Sequence, residues 1–133
     1  MQIVDTALKA RQEENNPVRV GLIGAGFMGR GITNQIVNYV TGMTLVAISN
    51  RTIAHAQHSF EKSGISDAVV VNTLAELNGA IEKGQYAVTE DAELLCQANN
   101  IDVLIESTGH VEFGAYVILN AFENGKHVVS MNA

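Results

Sequence analysis

The stretch Val18-Arg19-Val20-Gly21-Leu22-Ile23-Gly24-Ala25-Gly26-Phe27-Met28-Gly29-Arg30 decides the fold. Its first six residues form a short apolar, β-branched run, as a buried parallel strand requires. Gly24, Gly26 and Gly29 then complete a G-x-G-x-x-G turn. Gly24 lets the chain leave the strand sharply, Gly26 lets a pyrophosphate approach the backbone, and Gly29 lets the following helix pack closely. Beyond the turn, Met28, Ile32, Ile36 and Val40 recur every four residues with Val37 beside them. That spacing predicts a helix with this face buried, stopped by Gly42. The amino end of such a helix offers free N–H groups and a positive dipole end, both of which suit phosphate. Strand, glycine turn and helix in succession separate a dinucleotide-binding unit from a tight turn that binds nothing.

Working outward, residues 44–49 read as the second strand, so the first βαβ unit closes at Ser49-Asn50-Arg51-Thr52. A site for NAD usually carries Asp or Glu here, about 20 residues past the glycines, to accept from the ribose hydroxyls. This chain carries neither; Asn50, Arg51 and Thr52 offer an amide, a guanidinium and a hydroxyl. A guanidinium grips a 2′-phosphate with two charge-assisted hydrogen bonds, and no carboxylate stands in this stretch to repel it. The expected cofactor is therefore NADP rather than NAD. The alternative for Arg51 is a solvated surface side chain.

The rest of the chain alternates in the same way. Residues 1–14 read as a narrow amphipathic helix ended by Asn15-Asn16-Pro17, docked on the domain or on a second subunit. Residues 53–62 form a helix that carries His55 and His58 three apart; with no third ligand nearby, both read as surface residues. Val69-Val70-Val71 is a short strand, and residues 74–83 a helix read as an excursion over the surface. Residues 86–88 are the third main strand, and Glu90, Asp91 and Glu93 favour the first turn of the helix that follows. Residues 101–106 are the fourth main strand, with Ser107-Thr108-Gly109-His110 at its carboxyl end. Ligands of open α/β sheets bind outside the carboxyl ends of strands. Ser107 and Thr108 are therefore expected to meet a ribose or a carboxamide, and Gly109 to allow close approach. His110 is the one acid/base candidate there, and Glu106 is either a carboxylate that caps backbone amides or a group near the substrate. Residues 111–124 read as a helix with Val111, Ala115, Ile118 and Phe122 on its inner face, and residues 127–131 as the fifth main strand. The expected fold is α/β, a Rossmann-type three-layer sandwich over residues 1–133 with a parallel sheet ordered 3-2-1-4-5 and right-handed crossovers.

Composition bounds the partners. The 133 residues are 47% apolar and 17% charged, enough to bury a core and too apolar for disorder. A net charge of −6 with no basic stripe argues against nucleic acid. Cys96 is the only cysteine, set among Leu94 and Leu95, and reads as a small core residue rather than a nucleophile. No apolar run approaches the roughly 20 residues that span a bilayer, and the amino terminus lacks a signal-peptide pattern. The expected setting is reducing and cytoplasmic, with no metal, no membrane and a small-molecule substrate.

Three segments carry a family resemblance: residues 20–29, residues 101–109, and Gly125-Lys126-His127-Val128-Val129-Ser130-Met131-Asn132-Ala133. Together they resemble the amino-terminal domain of homoserine-dehydrogenase-like oxidoreductases. Some members of that group carry a SAF domain, and one branch consists of deoxyxylulose-phosphate reductoisomerase-like enzymes. The resemblance implies an NADP-dependent oxidoreductase whose first domain holds the cofactor, with the catalytic and dimerisation parts beyond Ala133 and a homo-oligomer as the working state. Asn132 stands where homoserine dehydrogenases are expected to place a lysine soon after this strand, and Glu106 where many relatives have Asp, so homoserine itself is not implied as the substrate. The other reading is a non-catalytic module that senses the dinucleotide. A methyltransferase using S-adenosylmethionine is disfavoured, because it would want an acidic residue where Asn50 and Arg51 stand.

Overall fold

A computed structural model describes residues 7, 9–10 and 16–131. The helix expected over residues 1–14 lies almost wholly outside these, as do Asn132 and Ala133. The elements are β1 (Val18–Ile23), α1 (Phe27–Tyr39), β2 (Met43–Ser49), α2 (Ile53–Lys62), β3 (Val69–Val70), α3 (Leu74–Glu82), β4 (Ala87–Thr89), α4 (Ala92–Gln97), β5 (Val103–Glu106), α5 (Val111–Glu123) and β6 (His127–Ser130).

All strand pairs are parallel, in a six-stranded sheet ordered β3-β4-β2-β1-β5-β6. The five main strands read from the sequence stand in the expected 3-2-1-4-5 order, and the two-residue β3 adds an outer edge beside β4. The chain winds outward from β1 in one direction and then, through α4 and β5, in the other. That reversal places the switch point between β1 and β5.

The central strands are buried on both faces, so two separate cores form. On one face α1 and α2 lay Ile36, Ala56 and Phe60 against Val20, Leu22, Leu45 and Ile48. On the other, α3, α4 and α5 lay Leu77, Ile81, Leu95, Val117 and Ala121 against Ile23, Ala47 and Leu104. The two sets on β2 are separated by an irregularity the sequence did not announce. Val20 pairs with Leu45, but Gly21 pairs with Ala47, so Val46 is an extra residue. That insertion puts Leu45 and Ile48, three apart, on the same face.

Three expectations about helix faces change. Residues 74–83 are not a surface excursion. β3 and β4 are parallel neighbours, a pairing that needs a crossover, and α3 is that crossover. It buries Leu77, Ala80 and Ile81, and a reciprocal cap starts it, with Thr73 Oγ1 accepting from Glu76 N at 3.1 Å and donating to Glu76 Oε1 at 3.2 Å. Met28 is not on the inner face of α1 but is 50% exposed, because the glycine turn itself occupies the space under the first turn. The face of α1 that is buried carries Gly29, Thr33 and Ile36. On α5 the inner face is Gly114, Val117 and Ala121, while Ala115 and Phe122 are exposed. Small residues let this helix lie close to β5 and β6, which turns Tyr116, Leu119 and Phe122 outward.

At the amino ends of the strands, Lys126 is buried and its Nζ donates to the carbonyls of Ala98 and Ile101, the latter at 2.9 Å. Burial pushes its pKa down, against the pull of Asp102 and Cys96. Burial also raises the Cys96 thiol from 9.0 to about 11, with Lys126 opposing and Glu93 and Asp91 adding to the rise.

Two outcomes follow. Leu77→Ala should cost about 2–5 kcal/mol in denaturant unfolding, and Leu119→Ala no more than about 0.5, because only the first leaves a cavity. The folded chain also keeps the Cys96 proton through the window from 9.0 to about 11, where the unfolded chain has lost it. This group's contribution to stability is thus fully present below that window and falls as pH rises through it. A thiol reagent at about pH 8 should label Cys96 only after unfolding, and Cys96→Ala should flatten the alkaline loss of stability.

Candidate functional site

The turn after β1 is shaped by two glycines that have no room for a side chain. Gly24 has φ +102, and a Cβ there would lie 3.0 Å from the backbone of Ser107. A Cβ on Gly29 would lie 2.2 Å from the carbonyl oxygen of Gly24. The first turn of α1 is therefore pressed onto the strand end. Gly26 is different. Its φ of −76 suits any residue, and a Cβ there would meet nothing within 4 Å. It caps α1 without a side chain, and no acidic residue stands in that helix's first turn. The amides of Phe27 and Met28 thus lie in the part of a helix that has no intrahelical acceptor.

Across the switch point, the loop after β5 is bonded to this turn. Ser107 N donates to Ile23 O at 2.9 Å, and Ser107 Oγ lies 3.2 Å from Ile23 O and 3.1 Å from Gly24 O. Glu106 is fully buried and caps the residue two positions on, accepting from Thr108 N at 2.9 Å and from Thr108 Oγ1. Of the two expectations for Glu106, the structure shows the capping carboxylate. Thr108 Oγ1 in turn accepts from His110 N at 3.2 Å. Both hydroxyls therefore point their protons into the protein, and toward the cleft they can only accept.

The loop after β2 is held by Asn50. Its Oδ1 accepts from Ala25 N at 3.0 Å, and its Nδ2 donates to Thr52 O at 3.0 Å. One side chain thus ties the glycine turn to the β2–α2 loop and takes the Ala25 amide out of the set free for a ligand. His55 stands beside it, with Nδ1 3.5 Å from Asn50 Nδ2.

These loops enclose a cleft of about 770 Å³ at the carboxyl ends of the strands. Of the residues singled out from the sequence, Gly24, Gly26, Asn50, Arg51, Thr52, Ser107, Thr108, Gly109 and His110 line it. Met28 and Gly29 do not, Gly29 because it is spent on packing against Gly24, and the side chain of Phe27 lies outside the described residues. The cleft also takes in His55, which sequence reading placed on a helix surface, Glu90, which it placed in a helix's first turn, and Glu112 and Phe113, which it did not single out. Each lies just past a strand's carboxyl end or in the first turns of the next helix, and that position was the signal available. Among the described residues, no three His, Cys, Asp or Glu side chains converge as metal ligands, and no helix is long and apolar enough to cross a membrane.

A parallel sheet wound both ways from its first strand, with a glycine turn and a bare helix amino end at the switch point, defines a Rossmann-type nucleotide-binding domain. Its lineage is narrower than that. The chain belongs to the homoserine dehydrogenase NAD-binding domain family, whose model matches residues 24–133. It is 30% identical over 118 residues to a homoserine dehydrogenase of Methylobacillus glycogenes, covering 87% of this chain and 25% of that protein. It is 27% identical over 116 residues to a homoserine dehydrogenase of Pseudomonas aeruginosa, covering 87% of this chain and 23% of that one. The chain thus spans about a quarter of the length of these relatives. Among solved structures, scyllo-inositol dehydrogenase from Lactobacillus casei, with bound NAD(H) and scyllo-inositol, superposes with a TM-score of 0.64 at 20% identity, over 86% of this chain and 28% of that one. A 3-ketoreductase from Actinomadura kijaniata, in complex with TDP-benzene and NADP, gives 0.61 at 21%, over 86% and 30%. These likenesses bear on the fold.

If Asn50 is the tie between the two loops, Asn50→Ala should leave the Ala25 amide without its acceptor. A loss of about 1–2 kcal/mol in thermal or denaturant unfolding is expected, with Asn50→Asp, which keeps the acceptor, losing less.

Proposed function

We propose that the chain is the cofactor-binding domain of an NADP-dependent oxidoreductase related to homoserine dehydrogenase. Its reaction would move a hydride to or from a carbonyl or hydroxyl carbon of a small molecule. The observation that carries this reading is Gly26. Neither its backbone angles nor its neighbours require a glycine, and the space its missing Cβ leaves opens on the cleft. The requirement for glycine is met by a ligand that must lie against the backbone, as a pyrophosphate does.

The residues fit a dinucleotide. The free amides at the start of α1, with that helix's positive end, suit the pyrophosphate. Arg51, exposed at the rim, suits a 2′-phosphate through paired hydrogen bonds. Ser107 and Thr108 accept from ribose hydroxyls or from the carboxamide, and Gly109, at φ +75, lets the ring approach the loop. Asn50 and Thr52 hold the ribose loop in place rather than reach for the ligand first. The bound nicotinamide supplies or takes the hydride at C4. No catalytic residue is assigned within the chain. Relatives four times as long that are dehydrogenases, and solved neighbours of the same fold bound to NAD(H) or NADP, support the reading. A reducing, cytoplasmic setting and a homo-oligomer complete it. The apolar outer face of α5 with the edge strand β6, where Leu119, Phe122 and Val129 are exposed, supports the second of these.

Calorimetric titration of the full-length protein with NADPH and NADH tests the proposal. NADPH should bind tighter, and Arg51→Ala should remove most of that preference by weakening NADPH about tenfold or more. Binding of neither dinucleotide would overturn the cofactor reading. An NADPH preference untouched by Arg51→Ala would overturn the role given to Arg51.

A further inference from the structure

We propose that Glu90 is a second determinant of cofactor choice: it stands against Arg51 in the same cleft and selects against the 2′-phosphate that Arg51 attracts. This rests on the reading of the cleft as a dinucleotide site and deepens it.

The sequence places no carboxylate at the end of β2, and that absence was the argument for NADP. The fold supplies one from the neighbouring strand. Ser49 pairs with Thr89, and Asn50 N donates to Thr89 O at 3.0 Å, so β2 and β4 end side by side. Adjacent strands lie about 4.8 Å apart. Glu90 is the first residue beyond that pair on one strand, and Arg51 the second on the other. Both side chains are exposed and both line the cleft.

The neighbours of Glu90 fix which carboxylate faces the ligand. Asp91 is withdrawn as the cap of α4, its Oδ1 accepting from Glu93 N at 3.0 Å. Thr89 Oγ1 accepts from Asp91 N at 3.2 Å and holds the turn between them. Glu90, one residue before the cap, is left at the cleft wall. The other charged or titratable residues on that wall are Arg51, His55, His110 and Glu112.

The chemistry is that of a carboxylate beside a ribose. It accepts from the 2′- and 3′-hydroxyls of NAD and repels a dianionic 2′-phosphate, the role an acidic residue at the end of β2 has in NAD-selective folds. Here the attracting cation and the repelling anion sit on adjacent strand ends. The preference that Arg51 creates is therefore smaller than Arg51 alone would give.

The test is to titrate the full-length protein with NADPH and NADH, in parent, Glu90→Gln and Glu90→Lys forms, at low salt and at about 0.5 M salt. In Glu90→Gln the affinity for NADPH should rise about fivefold at low salt and that for NADH should fall about threefold, and Glu90→Lys should move NADPH further in the same direction. The gain for NADPH should shrink at high salt, a dependence that a merely structural role would not produce. Melting temperatures should match the parent, since Glu90 is exposed and outside α4. If both dinucleotides bind and their affinity ratio moves less than about twofold in both variants, the role of Glu90 is wrong and the cofactor reading stands. If the parent binds neither dinucleotide, the cofactor reading fails and this one fails with it.

Discussion

One steric constraint organises the carboxyl end of this domain. The Gly24 carbonyl oxygen sits where any side chain on residue 29 would have to be, 2.2 Å from an added Cβ. Because residue 29 carries no side chain, α1 can lie directly on the end of β1. With α1 there, the turn is tight enough for Ser107 to reach two of its carbonyls from the neighbouring strand. The same turn holds Ala25 N within reach of Asn50. Two loops from different parts of the chain are thus clamped to one glycine turn, and together they form the walls of the cleft.

The three glycines of the motif divide the work unevenly. Gly24 and Gly29 are required by the protein itself, one by its φ and the Ser107 backbone, the other by Gly24. Gly26 is required by nothing in the chain. A motif read as one unit thus splits into two structural positions and one that faces outward. This is why Gly29, although part of the fingerprint, is absent from the cleft wall.

Much of this was legible in the sequence because the relevant signals are local. β-branched runs announced the main strands, and the order of the sheet followed from alternating strands and helices with right-handed crossovers. Helix faces were less legible. On α5 two apolar stripes compete, and the bulkier one, which includes Phe122, looked like the inner face. The small stripe through Gly114 and Ala121 wins because it lets the helix approach the sheet. Residues 74–83 looked like an excursion because a Rossmann unit need not carry a segment between its second and third main strands, and only the pairing of the two-residue β3 with β4 makes it a crossover. Glu90 was assigned to a helix's first turn but stands one residue before that helix's cap, and His55, assigned to a helix surface, stands in the first turn of α2. That those helix starts open on a common cleft depends on the pairing of β2 with β4, a long-range fact no window of sequence contains.

The hydroxyls of Ser107 and Thr108 have a consequence for direction. Each spends its O–H on a neighbour, Ser107 donating to the carbonyls of Ile23 and Gly24 and Thr108 donating to Glu106. Toward the cleft these two side chains can only receive, whereas the start of α1, which Ser107 adjoins, can only give. Donors and acceptors therefore stand side by side at the head of the cleft, a two-way contact that a group offering only one kind of partner would leave half used.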